Sequence, residues 1–314
     1  MSFADEKILL FDGACGTNLQ EVAIPDAAWQ GCAGCNELLN LTAPEIIVAL
    51  HESFLDAGAV VVETNTFGAS SIVLAEYDLA GRTVEINRAA VANARQAIGD
   101  RSGCYVAGSI GPTTKLPSLA HISVDELAAS LAEQMRALVE AGVDALVIET
   151  CQDLLQAKTA LVACFDVLEE TGRDIPVLVS VTMERQGTML VGSDIAAICA
   201  TLEPFPIFSL GLNCATGPAD MVSHIRYLGH NWPGRISCMP NQGLPSVVDG
   251  KTFYPMTPEE FVRNMSKFIE GDGVSIVGGC CGTTPEHIRQ LAAACANLSP
   301  GERKVSLLES EVSL

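Results

Sequence analysis

The sequence alternates short apolar runs with longer amphipathic stretches along almost its whole length. Eight of the runs have the length and aliphatic content of buried parallel strands, and they lie at residues 8–11, 60–62, 105–107, 145–148, 177–181, 207–212, 236–238 and 274–277. Helical periodicity predicts helices at residues 44–57, 70–79, 84–98, 124–141, 153–170, 258–269 and 285–296, and two more that begin near 194 and 218. The segment before the first of these helices is expected to be irregular. Eight strands that lead into helices favour closure, so the sequence predicts an α/β fold, a single-domain (β/α)8 TIM barrel.

The length leaves a second architecture open. A chain of 314 residues can form two domains or one barrel. A doubly wound sheet that binds a dinucleotide is less favoured, because no G-x-G-x-x-G follows the first predicted strand. We expect the barrel to occupy residues 1–298 and residues 299–314 to form a C-terminal tail or connector.

The composition excludes several classes of partner. A net charge of −20 repels phosphate backbones, so nucleic-acid binding is not expected. We find no apolar run long enough to span a bilayer and no signal peptide at the first residues, so no membrane partner is expected either. The twelve cysteines are scattered rather than framed as a disulfide scaffold, which is typical of a reducing compartment. The sequence predicts a cytoplasmic protein.

Two adjacent cysteines leave the eighth predicted strand. Cys280 and Cys281 lie between glycines in the segment 278–283, and neighbouring cysteines are poorly placed to pair with each other. Two thiolates on a tight turn suit a soft metal, above all zinc. The alternative is that they are small buried hydrophobic residues, as free cysteines often are.

A third cysteine at another strand end favours the metal. Cys214 leaves the sixth strand in a similar glycine-flanked segment, and a barrel brings the C-terminal ends of its strands to one rim. Three thiolates leave the fourth tetrahedral position of a zinc ion open, which is typical of a catalytic site. The remaining strand ends carry Asp12, Glu63, Ser109, Glu149 and Asn241.

Several of these segments resemble a known family. The motifs at residues 11–20, 63–69, 211–214 and 278–283, with 111–117 and 240–245, resemble the homocysteine S-methyltransferases, and within them the homocysteine-binding domains of the cobalamin-dependent methionine synthases. The resemblance covers about residues 7 to 297. It implies a zinc-dependent transfer of a methyl group to the sulfur of L-homocysteine, giving methionine, with Cys214, Cys280 and Cys281 as the zinc ligands and catalytic groups. Asn241 is a candidate oxygen ligand while substrate is absent, although a role in ordering its loop is equally expected.

The amino-acid end of such a substrate needs partners of its own. Its ammonium group calls for carboxylates, and Asp12 and Glu149 end the first and fourth predicted strands. The resemblance implies that Glu149 and the Asp12–Gly13 turn belong to the amino-acid pocket, while the alternative is that the carboxylates cap loop N–H groups. Backbone N–H groups are candidates for holding the substrate carboxylate, but the sequence does not identify them.

The sequence contains no evident motif for binding a methyl donor. No Asp-x-His-x-x-Gly segment and no second barrel are found. The resemblance therefore implies that methylcobalamin is the donor and is bound elsewhere, by cobalamin-binding and folate-binding modules or by a partner protein.

Two other functions stay open. One is a homocysteine methyltransferase that uses betaine or S-methylmethionine, for which Trp29 and Trp232 are the tryptophans available to form a cage around a cation. The other is a non-catalytic zinc-binding protein, and the carboxylates opposite the thiolates argue against it.

Cys32 and Cys35 have C-x-x-C spacing without a second pair, so we interpret them as an incidental pair rather than a metal or redox site. Met183 and Met189 are expected to pack in the core rather than flank the substrate.

Overall fold

The computed structural model describes residues 2–248 and 251–305 and forms a closed barrel of eight parallel strands. The barrel strands are β1 Leu9–Leu10, β2 Val61–Glu63, β3 Tyr105–Ile110, β4 Ala145–Cys151, β5 Val177–Val181, β6 Ser209–Asn213, β7 Arg235–Met239 and β10 Ile276–Val277. Their order around the sheet is β1-β10-β7-β6-β5-β4-β3-β2. The two edges meet where Phe11 pairs with Val61, and the N–H of Val60 donates to the carbonyl of Leu10 at 2.8 Å. The predicted (β/α)8 barrel is confirmed.

Helices surround the barrel, and the main ones follow the predicted positions. They are α1 Cys15–Leu19, α2 Asp26–Trp29, α3 Leu39–Thr42, α4 Pro44–Asp56, α5 Ser71–Leu74, α6 Thr83–Ile98, α7 Val124–Ala141, α8 Leu154–Thr171, α9 Ile195–Leu202, α10 Pro218–Asn231, α11 Pro258–Asp272 and α12 Pro285–Cys295. Helix starts are well marked in the sequence, since Ser123 and Thr257 each form a capping box. Among the described residues, no single helix is both long and apolar enough to cross a membrane, although the bent pair 36–42 and 44–56 passes that test by length and composition.

Two local predictions were wrong, and one element was not predicted. The helix expected at 70–79 is only α5 followed by a 3₁₀ turn, because Asp78 takes a left-handed conformation with φ 58°. The segment expected to be irregular before α4 contains α1, α2 and α3, each too short to show helical periodicity. The connection after β7 contains an antiparallel hairpin, β8 Ser246–Val248 and β9 Lys251–Phe253.

Alternation along the strands separates two layers of core. Leu9 and Phe11 of the first strand, Val61 of β2 and Val147 of β4 fill the barrel interior, whereas Leu10, Val62 and Leu146 pack against the helices. Because strand side chains alternate between faces, residues two positions beyond an interior residue also point inward. This parity directs Glu63 and Glu149 to the barrel axis, above the apolar interior.

The described chain ends at the face opposite the strand exits. The N–H of Gly301 donates to the carbonyl of Ile269 at 2.8 Å, and the Arg303 guanidinium donates to the carbonyls of Trp232 and Gly234. Both carbonyls precede β7, at the N-terminal end of the barrel. Residues 306–314 of the predicted connector lie outside the described residues, and the boundary at 298 stays a prediction.

Candidate active site

A cavity of about 430 Å³ opens at the C-terminal end of the barrel. Its lining includes six residues predicted for the site, namely Asp12, Gly13, Glu149, Cys214, Cys280 and Cys281. A larger and more open depression of about 900 Å³ lies at the starts of β5 and β6. That depression contains none of the predicted site residues, so the chemistry is concentrated in the smaller, more enclosed cavity.

Three cysteines form a cluster on one side of the cavity. Their Sγ atoms all lie within 4.8 Å of one another, in an arrangement that could hold a metal ion, and those of Cys214 and Cys281 are 3.9 Å apart. Thiolates bound tetrahedrally to zinc at about 2.3 Å are separated by about 3.8 Å. The spacing therefore fits a thiolate site for such an ion.

The backbone around the cysteines is tightly constrained. Cys214 and Ala215 both take left-handed conformations, with φ 59° and 53°, which is uncommon for residues other than glycine. The N–H of Cys214 donates to Met239 O at 3.2 Å, and that of Cys280 to Pro240 O at 2.9 Å. The exit of β7 thus holds the other two strand exits in place.

Two glycines and a threonine shape the corner that presents Cys280 and Cys281. A Cβ on Gly279 would lie 2.3 Å from Thr283 Oγ1, and one on Gly282, where φ is 82°, would lie 2.4 Å from the Tyr254 ring. The Thr283 hydroxyl accepts from Ala14 N–H at 3.1 Å and donates to Cys280 O at 2.7 Å. The corner is therefore tied to the turn after β1.

The thiols strongly influence one another's protonation. Hydrogen bonds from Cys214 and then Cys280, with a further one from Tyr254, lower the pKa of Cys281 to about 3. The hydrogen bond with Cys280 lowers the pKa of Cys214, but the one with Cys281 and burial raise it further, to about 12. Hydrogen bonds to Cys214 and Cys281, together with burial, raise the pKa of Cys280. One thiolate forms readily, and the other two need a cation to replace their protons.

Glu149 faces this cluster from the end of β4. Its Oε1 accepts from the Ser109 hydroxyl at 2.5 Å, and its Oε2 accepts from the Asn213 amide at 3.3 Å. Burial raises the pKa of Glu149 to about 7, while the hydrogen bond from Ser109 opposes the rise. Asn213 also accepts from the N–H of Thr150 at 2.9 Å. This asparagine therefore links the exit of β4 to the exit of β6, which carries Cys214.

Two further carboxyl groups lie beside Glu149. Asp12 is only 5% exposed, and its Oδ2 accepts from the N–H of Glu63 at 3.1 Å. Burial raises the pKa of Asp12, with a contribution from the charge of Glu149. Burial also raises the pKa of Glu63, followed by the charges of Glu149 and Asp12. All three carboxyl groups line the cavity, and no lysine or arginine is among the described residues that line it.

Sequence reasoning missed two residues of this cavity as site residues. Glu63 was noted at a strand end but was not assigned a role, although its parity with Val61 is a usable signal. Tyr254 also lines the cavity, and no sequence pattern indicated it, because it follows the hairpin that the sequence did not predict.

Asn241 was a candidate ligand. Its Oδ1 is buried without a partner among the described residues, and its N–H donates to Thr216 O at 3.1 Å.

Other candidates lie away from the cavity. Met183 and Met189 are buried in the outer core, as expected. Cys35 packs in a separate apolar cluster with Cys32 at its edge. The described lining includes neither Trp29 nor Trp232.

Comparisons with known proteins give one consistent family. Residues 9–295 match the family model described as homocysteine S-methyltransferase. Methionine synthase of Mycobacterium tuberculosis is 42% identical over 314 residues, and methionine synthase of Mycobacterium leprae is 41% identical over 318. Each alignment covers 98% of this chain, yet the chain spans only 26% of the length of either relative.

Solved structures share the fold. The metallated form of the homocysteine methyltransferase MmuM from Escherichia coli superposes with a TM-score of 0.73 at 23% identity, covering 92% of this chain and 97% of that chain. Its oxidized form gives a TM-score of 0.72 at 22% identity. At these identities the likeness concerns the fold alone. The match to the family model over nearly the whole barrel means that the chain belongs to the homocysteine S-methyltransferase family.

Proposed function

We propose that this barrel transfers a methyl group to the thiol of L-homocysteine, giving methionine. The observation that carries the proposal is the division of one cavity into a thiol side, formed by the exits of β6 and β10, and a carboxyl side, formed by the exits of β1, β2 and β4. An amino acid that ends in a thiol has a soft nucleophile at one end and a cationic ammonium group at the other. The family and the names of the relatives support this assignment.

Cys214, Cys280 and Cys281 would hold zinc. Three thiolates and an open fourth position fit a catalytic zinc site better than a closed structural one. Zinc held there would bind the substrate sulfur as a thiolate and keep it available as a nucleophile at neutral pH. Asn241, whose buried Oδ1 is unpartnered among the described residues, is the proposed oxygen ligand while substrate is absent.

The carboxyl side would orient the rest of the substrate. Glu149 and Asp12 are placed to accept hydrogen bonds from the ammonium group, and the Asp12–Gly13 turn forms part of the wall. Gly13 allows close approach here, since a Cβ would lie 2.7 Å from the Phe54 ring. With the ammonium held, the sulfur would face the thiol side, where its thiolate would supply both electrons of the new S–C bond while the bond between the methyl group and its donor breaks and leaves its electron pair on the donor.

We further propose that the methyl group comes from methylcobalamin carried on another module or partner protein. Six large apolar side chains are exposed in connections that follow barrel strands, namely Val22, Phe67, Leu119, Leu190, Leu244 and Phe253. Exposed apolar groups concentrated on one face are typical of a surface that docks another protein. The much greater length of the relatives is consistent with further modules, including one that binds folate.

The purified chain loaded with zinc tests both proposals. We expect one zinc per chain, methionine formation with homocysteine and methylcobalamin, and little turnover with betaine or S-methylmethionine. Brisk turnover with either small donor would assign the protein to the other branch of the family. Several zinc ions per chain with no homocysteine binding would instead indicate the non-catalytic zinc protein.

Three other expectations remain proposals. They are the division into a barrel at 1–298 and a connector at 299–314, the cytoplasmic location, and the absence of nucleic-acid and membrane partners.

A further inference from the structure

Glu63 is the carboxyl group of the cavity to which neither the sequence nor the proposed function gives a role. It ends β2, between Asp12 after β1 and Ser109 on β3, and it faces the same space as Glu149. If all three carboxyl groups were ionised, the cavity would hold three negative charges without a lysine or arginine among its described lining residues. Like charges in a desolvated site raise one another's affinity for protons. At least one of the three is therefore expected to keep a proton.

The hydrogen bonds identify which one. Glu149 receives two side-chain donors, from Ser109 and Asn213, and Asp12 receives the N–H of Glu63. No donor to the side chain of Glu63 is found among the described residues, and its Oε1 is fully buried without a partner. Hydrogen bonds to the charged form are what keep a buried carboxylate ionised. Glu63 is the least supported of the three in that form.

Asp12, in turn, lacks a hydrogen-bond donor to one of its carboxyl oxygens. Its Oδ1 is also fully buried and without a partner among the described residues, and a buried acceptor left unsatisfied is destabilising. The hydrogen bond from Glu63 N–H to Asp12 Oδ2 already brings the two residues together. A single proton between their carboxyl groups would provide for both unpartnered oxygens.

Other titratable groups around this pair do not supply that proton better. Burial lowers the pKa of His51 to about 4, so its imidazole is neutral. The Cys15 thiol donates to Asn65 Oδ1 at 3.5 Å, and Glu37 Oε1 accepts from the N–H of Gly68 at 2.7 Å, so both are engaged elsewhere. The titratable side chains that line the cavity with Glu63 are Asp12, Cys15, Glu37, His51, Glu149, Cys214, Tyr254, Cys280 and Cys281.

We propose that Glu63 is held as a neutral carboxylic acid and donates its proton to Asp12. Asp12 then receives both the N–H and the O–H of the same residue, which fixes its carboxylate and keeps its charge. The Asp12–Glu63 pair and Glu149 together present two negative charges to the substrate instead of three. Glu63 is thus a positioning residue, and this role rests on the proposed binding of an amino-acid ammonium group in the cavity.

Infrared difference spectroscopy tests the protonation directly. At about pH 8.5, above the pKa of about 7 of Glu149, the folded zinc-loaded chain should show the carbonyl band of a protonated carboxylic acid. The band should disappear in Glu63→Gln and persist in Glu149→Gln. Persistence of the whole band in Glu63→Gln would overturn the proposal.

Binding of methionine provides a second readout, since the product carries no thiol proton. Glu63→Ala removes the donor to Asp12 and should weaken binding about tenfold or more, whereas the amide N–H of Glu63→Gln should restore most of the loss. Glutamine no better than alanine would overturn the proposal. If the wild-type chain bound neither methionine nor homocysteine, the proposed function would fail, while the infrared band would still decide the state of Glu63.

Discussion

At the scale of single residues, the three cysteines carry the proposed metal chemistry. Cys281→Ala should lower the zinc content from about one per chain to near zero and abolish methyl transfer, because two thiolates and a solvent ligand hold zinc far less tightly. The barrel should stay folded, since Cys281 is only half-buried at a loop. Metal analysis and circular dichroism measure the two effects.

Cys104→Ser is the matched control for that substitution. Cys104 is also half-buried, but it lies before β3 at the opposite end of the barrel, so zinc and activity should persist. Full zinc content in Cys281→Ala would contradict the assignment of the ligands.

Glu149 gives a prediction with a defined pH dependence. Glu149→Gln should weaken methionine binding by about 1–3 kcal/mol, because a charged hydrogen bond to the ammonium group is lost, and should leave the zinc content unchanged. In the proposed site the carboxylate form of Glu149 would bind the ammonium group. Since burial raises the pKa to about 7, affinity should increase as the pH rises through that value and decrease below it. Titration calorimetry at several pH values measures this, with the exposed Glu169→Gln as control; a pH dependence that survives in Glu149→Gln would exclude this role.

The sequence identified these residues because their chemistry is visible without coordinates. Cysteines flanked by glycines, and an acidic residue at the end of a strand, can be recognised from the sequence alone. Glu63 and Tyr254 were missed because their relevance depends on what lies beside them, an unpartnered Asp12 oxygen for one and the Cys280–Cys281 corner for the other. Such relations arise only once the strands are side by side.

At the scale of elements, the turn after β10 is more constrained than its glycines alone suggest. Gly282→Ala places a Cβ 2.4 Å from the Tyr254 ring in a backbone with φ 82°. The left-handed conformation itself costs an alanine about 1–2 kcal/mol, and the displaced ring should additionally weaken zinc binding through Cys281. Thermal unfolding and competition with a chelator measure the two contributions.

Gly103→Ala is a close control, because Gly103 has φ 73° but nothing within 4 Å of the added Cβ. It should lose a similar amount of stability and no zinc affinity. Equal zinc affinity in the two variants would show that the corner tolerates movement of Tyr254.

The order of strands and helices was predictable because each element is long enough to show its period. The tight connections were not: α1 has only five residues, and each strand of the β8–β9 hairpin has three. The conformation of such short segments is determined by how they pack at the C-terminal end of the barrel, and local propensity does not predict it. Cys15, Gly16 and Thr17 of α1 line the cavity, as does Tyr254, which directly follows the hairpin.

At the scale of the whole molecule, several exposed apolar side chains lie in the connections that follow the barrel strands. The double substitution Phe253→Ser and Leu190→Ser should slow methyl transfer from a protein that carries methylcobalamin, because apolar area at the proposed interface is lost. Transfer from free methylcobalamin should change little. Steady-state rates with the two donors give the comparison.

Val162→Ser is the control, since Val162 is similarly exposed at 45% but lies on α8, away from the strand exits. Equal slowing with free and protein-bound donor would place the effect in the cavity rather than in docking.

The acidic lining of the cavity has a consequence for the choice among cellular thiols. Coenzyme A is an abundant thiol that carries several negative charges and no ammonium group. The carboxylates of Asp12 and Glu149, with no lysine or arginine among the described lining residues, would offer such a molecule no counter-ion. Each unscreened like-charge contact at about 4 Å costs about 1–4 kcal/mol. In the proposed site the ammonium group of an amino-acid thiol would be attracted to these carboxylates, whereas coenzyme A would be repelled from the cavity.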